Sequence, residues 1–113
     1  MNVVMTAPRL APQAVALLEA AGACIHYMDP FPGAAAVAAR AGAVDAVAIL
    51  SRQGPVAAAA MDAAPNLRII ARHGVGVDDV DVAEAGRRGI LVTRSPGSNT
   101  RAVAEHTLAL ILA

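Results

Sequence analysis

Residues 66–106 read NLRIIARHGVGVDDVDVAEAGRRGILVTRSPGSNTRAVAEH, and the order of apolar runs and breakers in them decides the fold. Leu67 to Ala71 is an apolar run of strand length, closed by Gly74-Val75-Gly76. Asp81 to Arg88 follows as a helix, with Asp81 and Glu84 spaced as a capping box and Gly89 as its stop. Ile90 to Thr93 is the next strand. Pro96-Gly97 turns the chain into a last helix, Asn99 to Ala113. Strands and helices that alternate over short turns predict parallel strands joined by crossovers.

The alternation extends back to the N-terminus. Val3 to Thr6, Cys24 to Met28 and Val44 to Leu50 are expected strands. Pro12 to Ala21, Ala34 to Ala41 and Pro55 to Ala63 are expected helices, with Gly42 as a stop and Pro55 in a first turn. Five βα units in 113 residues fit one α/β domain. The expectation is a flavodoxin-like five-stranded parallel sheet, order 2-1-3-4-5, with helices on both faces and right-handed crossovers.

Composition narrows the function. Hydrophobic residues make up 57% but aromatics only 2%, so the core must be built from aliphatic residues and alanine. Nine basic residues, all arginine, balance nine acidic ones. Without a basic patch or stacking aromatics, a nucleic-acid partner is not expected. No apolar stretch reaches the length of a membrane span, so no membrane partner is expected either. One cysteine, Cys24, makes no internal disulfide and is expected to be buried and inert; a cytoplasmic location is the default.

In open α/β sheets ligands sit beyond the carboxyl ends of the strands. Gly74-Val75-Gly76 lies at such an end, where two glycines permit a sharp turn with outward amides, a nest suited to a carboxylate or phosphate oxygen. A tight turn with no ligand has the same spacing. It is not a dinucleotide fingerprint, because Asp79 occupies the place of the third glycine. His73 borders the loop and is the best-placed histidine. His26 is expected to be structural, and His106 to serve a surface or interface. No metal set and no catalytic set is assigned within the chain.

The combination IIARHGVGVDDVD, RRGILVT and SNTRAVAEH resembles the N-terminal substrate-binding domain of the D-isomer-specific 2-hydroxyacid dehydrogenases, the phosphoglycerate dehydrogenase-like family. The first 60 residues match it in architecture and in Ser51-Arg52 after the third strand. The resemblance implies that amides of Gly74, Val75 and Gly76 hold the substrate carboxylate. It implies a substrate-donating role for Asn99, which also suits a helix N-cap. It places Val103 near the nicotinamide, although the residue taken alone reads as plain packing, and Arg52 at the rim, facing a larger substrate's distal group or, equally, solvent. Residues 1–98 would be the substrate-binding unit, and residues 99–113 a hinge helix leading to a dinucleotide-binding domain.

The family's G-x-G-x-x-G fingerprint and its catalytic Arg, acidic residue and His are not among these residues. The chain is therefore expected to hold no cofactor and to be catalytically incomplete alone, with NAD or NADP implied for a full-length relative. The ligand expected is a small 2-oxo or 2-hydroxy acid. A stand-alone flavodoxin-like binding or self-association module is the alternative. A phospho-receiver or flavin carrier fits poorly, because Ala7-Pro8-Arg9 supplies neither clustered acids nor a hydroxyl-rich phosphate loop. Thr107 to Ala113 has no polar face, and an apolar helix end needs cover from more chain, a partner or its own sheet. A homodimer through this helix is expected.

Overall fold

The computed structural model describes all residues, Met1–Ala113. Strands β1 (Asn2–Met5), β2 (Cys24–Tyr27), β3 (Ala48–Ser51), β4 (Ile69–Arg72) and β5 (Leu91–Thr93) alternate with helices α1 (Pro12–Ala20), α2 (Ala34–Ala43), α3 (Ala58–Ala63), α4 (Val82–Arg87) and α5 (Thr100–Leu112). The strands form one all-parallel, flavodoxin-like sheet in the order β2-β1-β3-β4-β5.

Register explains the layers. Val4, Ile49, Ile70 and Val92 are successive partners across the sheet. Successive residues of a strand point to opposite faces, so this row shares one face. Val4, Ile49 and Ile70 are fully buried there with Val37 and Ala41 of α2, Ala60 and Met61 of α3 and Ala85 of α4. Burial of each large side chain contributes about 1.5–3 kcal/mol. The opposite face presents Met5, Leu50 and Ala71, which α1 covers only in part; no residue of α1 is itself buried. Helices thus lie on both faces, three against one.

Two expected boundaries moved, each for a local reason. Gly42 does not stop α2. It lies inside the helix, against Ala63, where an added Cβ would come within 3.1 Å of that residue's Cβ and carbonyl oxygen. The chain turns instead at Asp45, in the left-handed region at φ 48. Ala46 N–H donates to Ala41 and Asp45 N–H to Gly42, the bond pair of a Schellman stop. Asn66 donates to both Asp45 carboxylate oxygens. So β3 starts at Ala48 rather than Val44. Likewise Pro55 does not open α3. Val56 is drawn into a parallel bridge with Val80, donating to Asp79 and accepting from Asp81, and the helix begins at Ala58.

α4 carries half of the expected capping box. Asp81 accepts from the Glu84 amide, but the Glu84 side chain turns away to Arg87 and Arg88. Arg88 also pairs with Asp62 at 2.7 Å, tying α4 to α3. Cys24 corrects another expectation. It is exposed, because β2 is an edge strand. No residue of α5 is buried. The helix projects from the body, giving extents of 50 × 31 × 24 Å and a radius of gyration of 15.3 Å. A compact chain of this length would have a radius of about 13 Å.

Candidate functional site

The carboxyl edge of the sheet is assembled around two side chains at strand ends. Thr6 follows β1 and is fully buried. Its hydroxyl oxygen accepts from the amides of Arg52 at 2.9 Å and Gln53 at 3.2 Å, fixing the loop after β3. Arg72 ends β4. Its Nη1 donates to the carbonyls of Ser51 (3.0 Å) and Arg52 (2.8 Å), and its Nε to the Gly76 carbonyl (3.0 Å). Its Nε also lies 3.3 Å from an Asp79 carboxylate oxygen. Arg72 therefore stitches the β3 loop to the Gly-x-Gly loop.

The Gly-x-Gly loop shows where each peptide points. The Gly74 carbonyl accepts from the Ser95 amide (2.9 Å), the Val75 carbonyl from Arg94 (3.3 Å) and the Gly76 carbonyl from Arg72. In a planar trans peptide the N–H points opposite the C=O. The amides of Val75, Gly76 and Val77 therefore face away from these partners, and none of them donates within the chain. The Gly74 amide, expected to be free, instead donates to the Arg72 carbonyl at 3.0 Å, so the free row runs one residue further along than expected. Gly74 has φ 153, a conformation that favours glycine. Three consecutive N–H groups on a held backbone are thus left without a partner in the chain.

Arg52 is exposed beside this loop and has no carboxylate partner, and Arg94 is likewise unpaired and exposed. Asp78 is also at the loop; its carboxylate oxygen lies 3.4 Å from where a Gly76 Cβ would sit. His73 is exposed at the same edge and lines, with Arg72, an apolar groove of about 410 Å³ walled by Met5, Leu10, Ala14, Leu18 and Leu50. A second groove, of about 490 Å³, lies by α2 and Asp29, away from the free amides.

The fold thus brings Gly74, Val75, Gly76 and Arg52 together. Asn99 lies just before α5 and Val103 in its first turns. Asn99 occupies the N-cap position, but its side chain makes no cap bond. Val103 is 55% exposed. His26 is held in the sheet by Asn2, 3.1 Å from its ring nitrogen, and His106 is exposed on α5. Thr6 and Arg72 carry the site's construction, and the sequence marks them only as strand ends at the ligand edge. Their signal was position: a hydroxyl and a guanidinium at the ends of buried strands, next to the ligand edge. No cluster of His, Cys, Asp or Glu is placed to hold a metal ion.

The model of the D-isomer specific 2-hydroxyacid dehydrogenase catalytic domain matches residues 3–109. The chain belongs to this family. It is 42% identical over 111 residues to the D-3-phosphoglycerate dehydrogenase of Mycobacterium bovis, a match that covers 98% of this chain and 20% of that protein. A protein of Thermus thermophilus has the same fold, with TM-score 0.89 and 36% identity over all of this chain and 36% of its own. So does the NAD+-bound 3-phosphoglycerate dehydrogenase of Entamoeba histolytica, with TM-score 0.82 and 26% identity over 98% of this chain and 38% of its own. The matches cover a fifth or less of the length of these curated relatives. No helix in it is long and apolar enough to cross a membrane.

Proposed function

We propose that this chain is the substrate-binding half of an NAD(P)-dependent D-2-hydroxyacid dehydrogenase, and that alone it binds a small 2-oxo or 2-hydroxy acid weakly and turns none over. The observation that supports this best is the row of unpartnered amides at Val75, Gly76 and Val77. A carboxylate accepts from such a row with charge-assisted bonds. Arg52 at the rim suits the distal group of a larger acid. Residues 1–98 form the substrate unit in this reading. Residues 99–113 are the hinge helix, on which Asn99 reaches substrate and Val103 the nicotinamide in a complete active site. The proposed location is cytoplasmic.

Hydride transfer needs a held nicotinamide, a positioned carbonyl and a proton donor together. These 113 residues offer only the means to hold the acid. His73 has no carboxylate among its bonded partners to orient it as an acid or base. Nothing resembling a dinucleotide loop follows a strand, so the choice between NAD and NADP is not made by these residues.

The test pairs two assays on the purified chain. Oxidation of NADH with glyoxylate, pyruvate or hydroxypyruvate is expected to stay at the buffer rate. Equilibrium dialysis with labelled glyoxylate is expected to show saturable millimolar binding. Saturable turnover overturns the incompleteness, and absent binding overturns the substrate site.

The exposed apolar residues of α5, among them Val103, Leu108, Ile111 and Leu112, support a second part of the proposal. In this reading a homodimer forms through that helix, because two copies can cover each other's apolar side. A stand-alone flavodoxin-like binding or self-association module without catalysis is the other reading. The exposed α5 alone favours it, and the loop geometry does not.

A further inference from the structure

We propose that Arg72 is the positioning residue of the carboxylate site, holding the loop carbonyls from behind so that the Val75–Val77 amides face substrate. This rests on the reading of those amides as the carboxylate site.

The argument begins with burial. The Arg72 side chain is only 18% exposed, although it sits at a strand end beside an open edge. It is spent on the protein itself: Ser51, Arg52 and Gly76 carbonyls and the Asp79 carboxylate surround it. A guanidinium carries its donors in a rigid plane, so acceptors at its different edges, within that plane, are held at fixed separation. One side of the fork takes the loop after β3 and the other takes the Gly-x-Gly loop. Gly74 lies against the same group, with the guanidinium carbon 3.7 Å from where a Cβ would stand.

The consequence for the amides follows from peptide geometry. Binding the Gly76 carbonyl inward turns the Val77 N–H outward. The neighbouring peptides are held by Ser95 and by Arg94, but Arg94 is exposed and its bond is longer, at 3.3 Å. Arg72 is therefore the stiffer of the two side chains that hold the loop, beside the backbone bond from Ser95. It also fixes the distance from the amides to Arg52, whose carbonyl it binds, and so the length of acid that spans both. Asp79 balances its charge. This distinguishes Arg72 from a substrate ligand: its part is to place other groups.

A lysine keeps the charge but cannot span both loops. In ¹H–¹⁵N spectra of the 113-residue chain, Arg72→Lys is expected to leave the resonances of Val4, Ile49 and Ile70 in place. The Val75, Gly76 and Val77 amides should become mobile, with lowered order parameters, and affinity for pyruvate should fall about tenfold to a hundredfold. Arg101→Gln, which removes an exposed pair on α5, should change neither. Unaltered loop order and unaltered pyruvate affinity in Arg72→Lys overturn the proposal. If pyruvate moves no loop amide in the unmodified chain, the carboxylate reading fails, and the ligand-free order parameters alone decide whether Arg72 holds the loop. If Arg72→Lys does not fold, the unmodified chain gives the answer. Slow solvent exchange of the Arg72 Nε–H, slowed further by pyruvate, supports the role, and fast exchange in both states overturns it.

Discussion

Thr6 and Ser51 are both fully buried hydroxyls at the carboxyl edge of the sheet, and they predict opposite results. The Thr6 hydroxyl accepts from two backbone amides, whereas the Ser51 hydroxyl has no partner. Thr6→Val keeps the shape and strands both donors, so it should cost about 1–3 kcal/mol in urea denaturation. Ser51→Ala removes a buried oxygen that gains nothing, so it should be neutral or stabilise by up to about 1 kcal/mol. Equal losses for both would show that packing, not hydrogen bonding, governs this edge. Asn99 gives a third contrast. It sits at the N-cap of α5 without a cap bond, so Asn99→Ala should change the stability of this chain by less than about 0.5 kcal/mol. A loss near the roughly 1 kcal/mol of a working cap would reinstate that role. In a protein that includes the cofactor domain, the same change is expected to reduce substrate use.

Gly54 links elements that are distant in sequence. It has φ 75, and a Cβ there would lie 2.1 Å from the carbonyl oxygen of Pro32. Gly54→Ala should destabilise by more than the roughly 1–2 kcal/mol of left-handed strain alone, because a backbone atom must also give way. A change within experimental error would mean that the loop after β3 relaxes freely. Elements of this kind also show what a sequence tells and withholds. Strand identity and order were legible, because five apolar runs separated by Gly, Pro and acidic stops admit few chain paths. The ends of α2 and α3 were not. Gly42 reads as a stop but serves a close helix contact, and Val56 reads as helical but pairs with Val80, a residue far along the chain. The Gly-x-Gly loop was legible as a turn with outward amides. The clamp beneath it was not, because nothing in the spacing of Arg72 shows which carbonyls the fold brings to it.

At the scale of the whole molecule the apolar surface is unevenly covered. One sheet face carries three helices; the other carries α1, and Leu91 on β5 is 58% exposed. With α5 bare as well, self-association is the expected solution behaviour. Light scattering behind size exclusion should give a dimer at micromolar concentration, and Leu108→Glu/Ile111→Glu should return it to monomer. A monomeric parent, or a dimer indifferent to both charges, removes α5 as the interface. The central claim concerns the carboxyl edge of the sheet, where a 2-oxo acid is held by its carboxylate on backbone amides. The most direct measurement is a ¹H–¹⁵N titration of the labelled chain with pyruvate and, in parallel, with pyruvamide, which has the same carbonyl but no carboxylate. The account predicts saturable shifts at Val75, Gly76 and Val77 with pyruvate and none there with pyruvamide. Equal shifts with both, or shifts that bypass this loop, would contradict it.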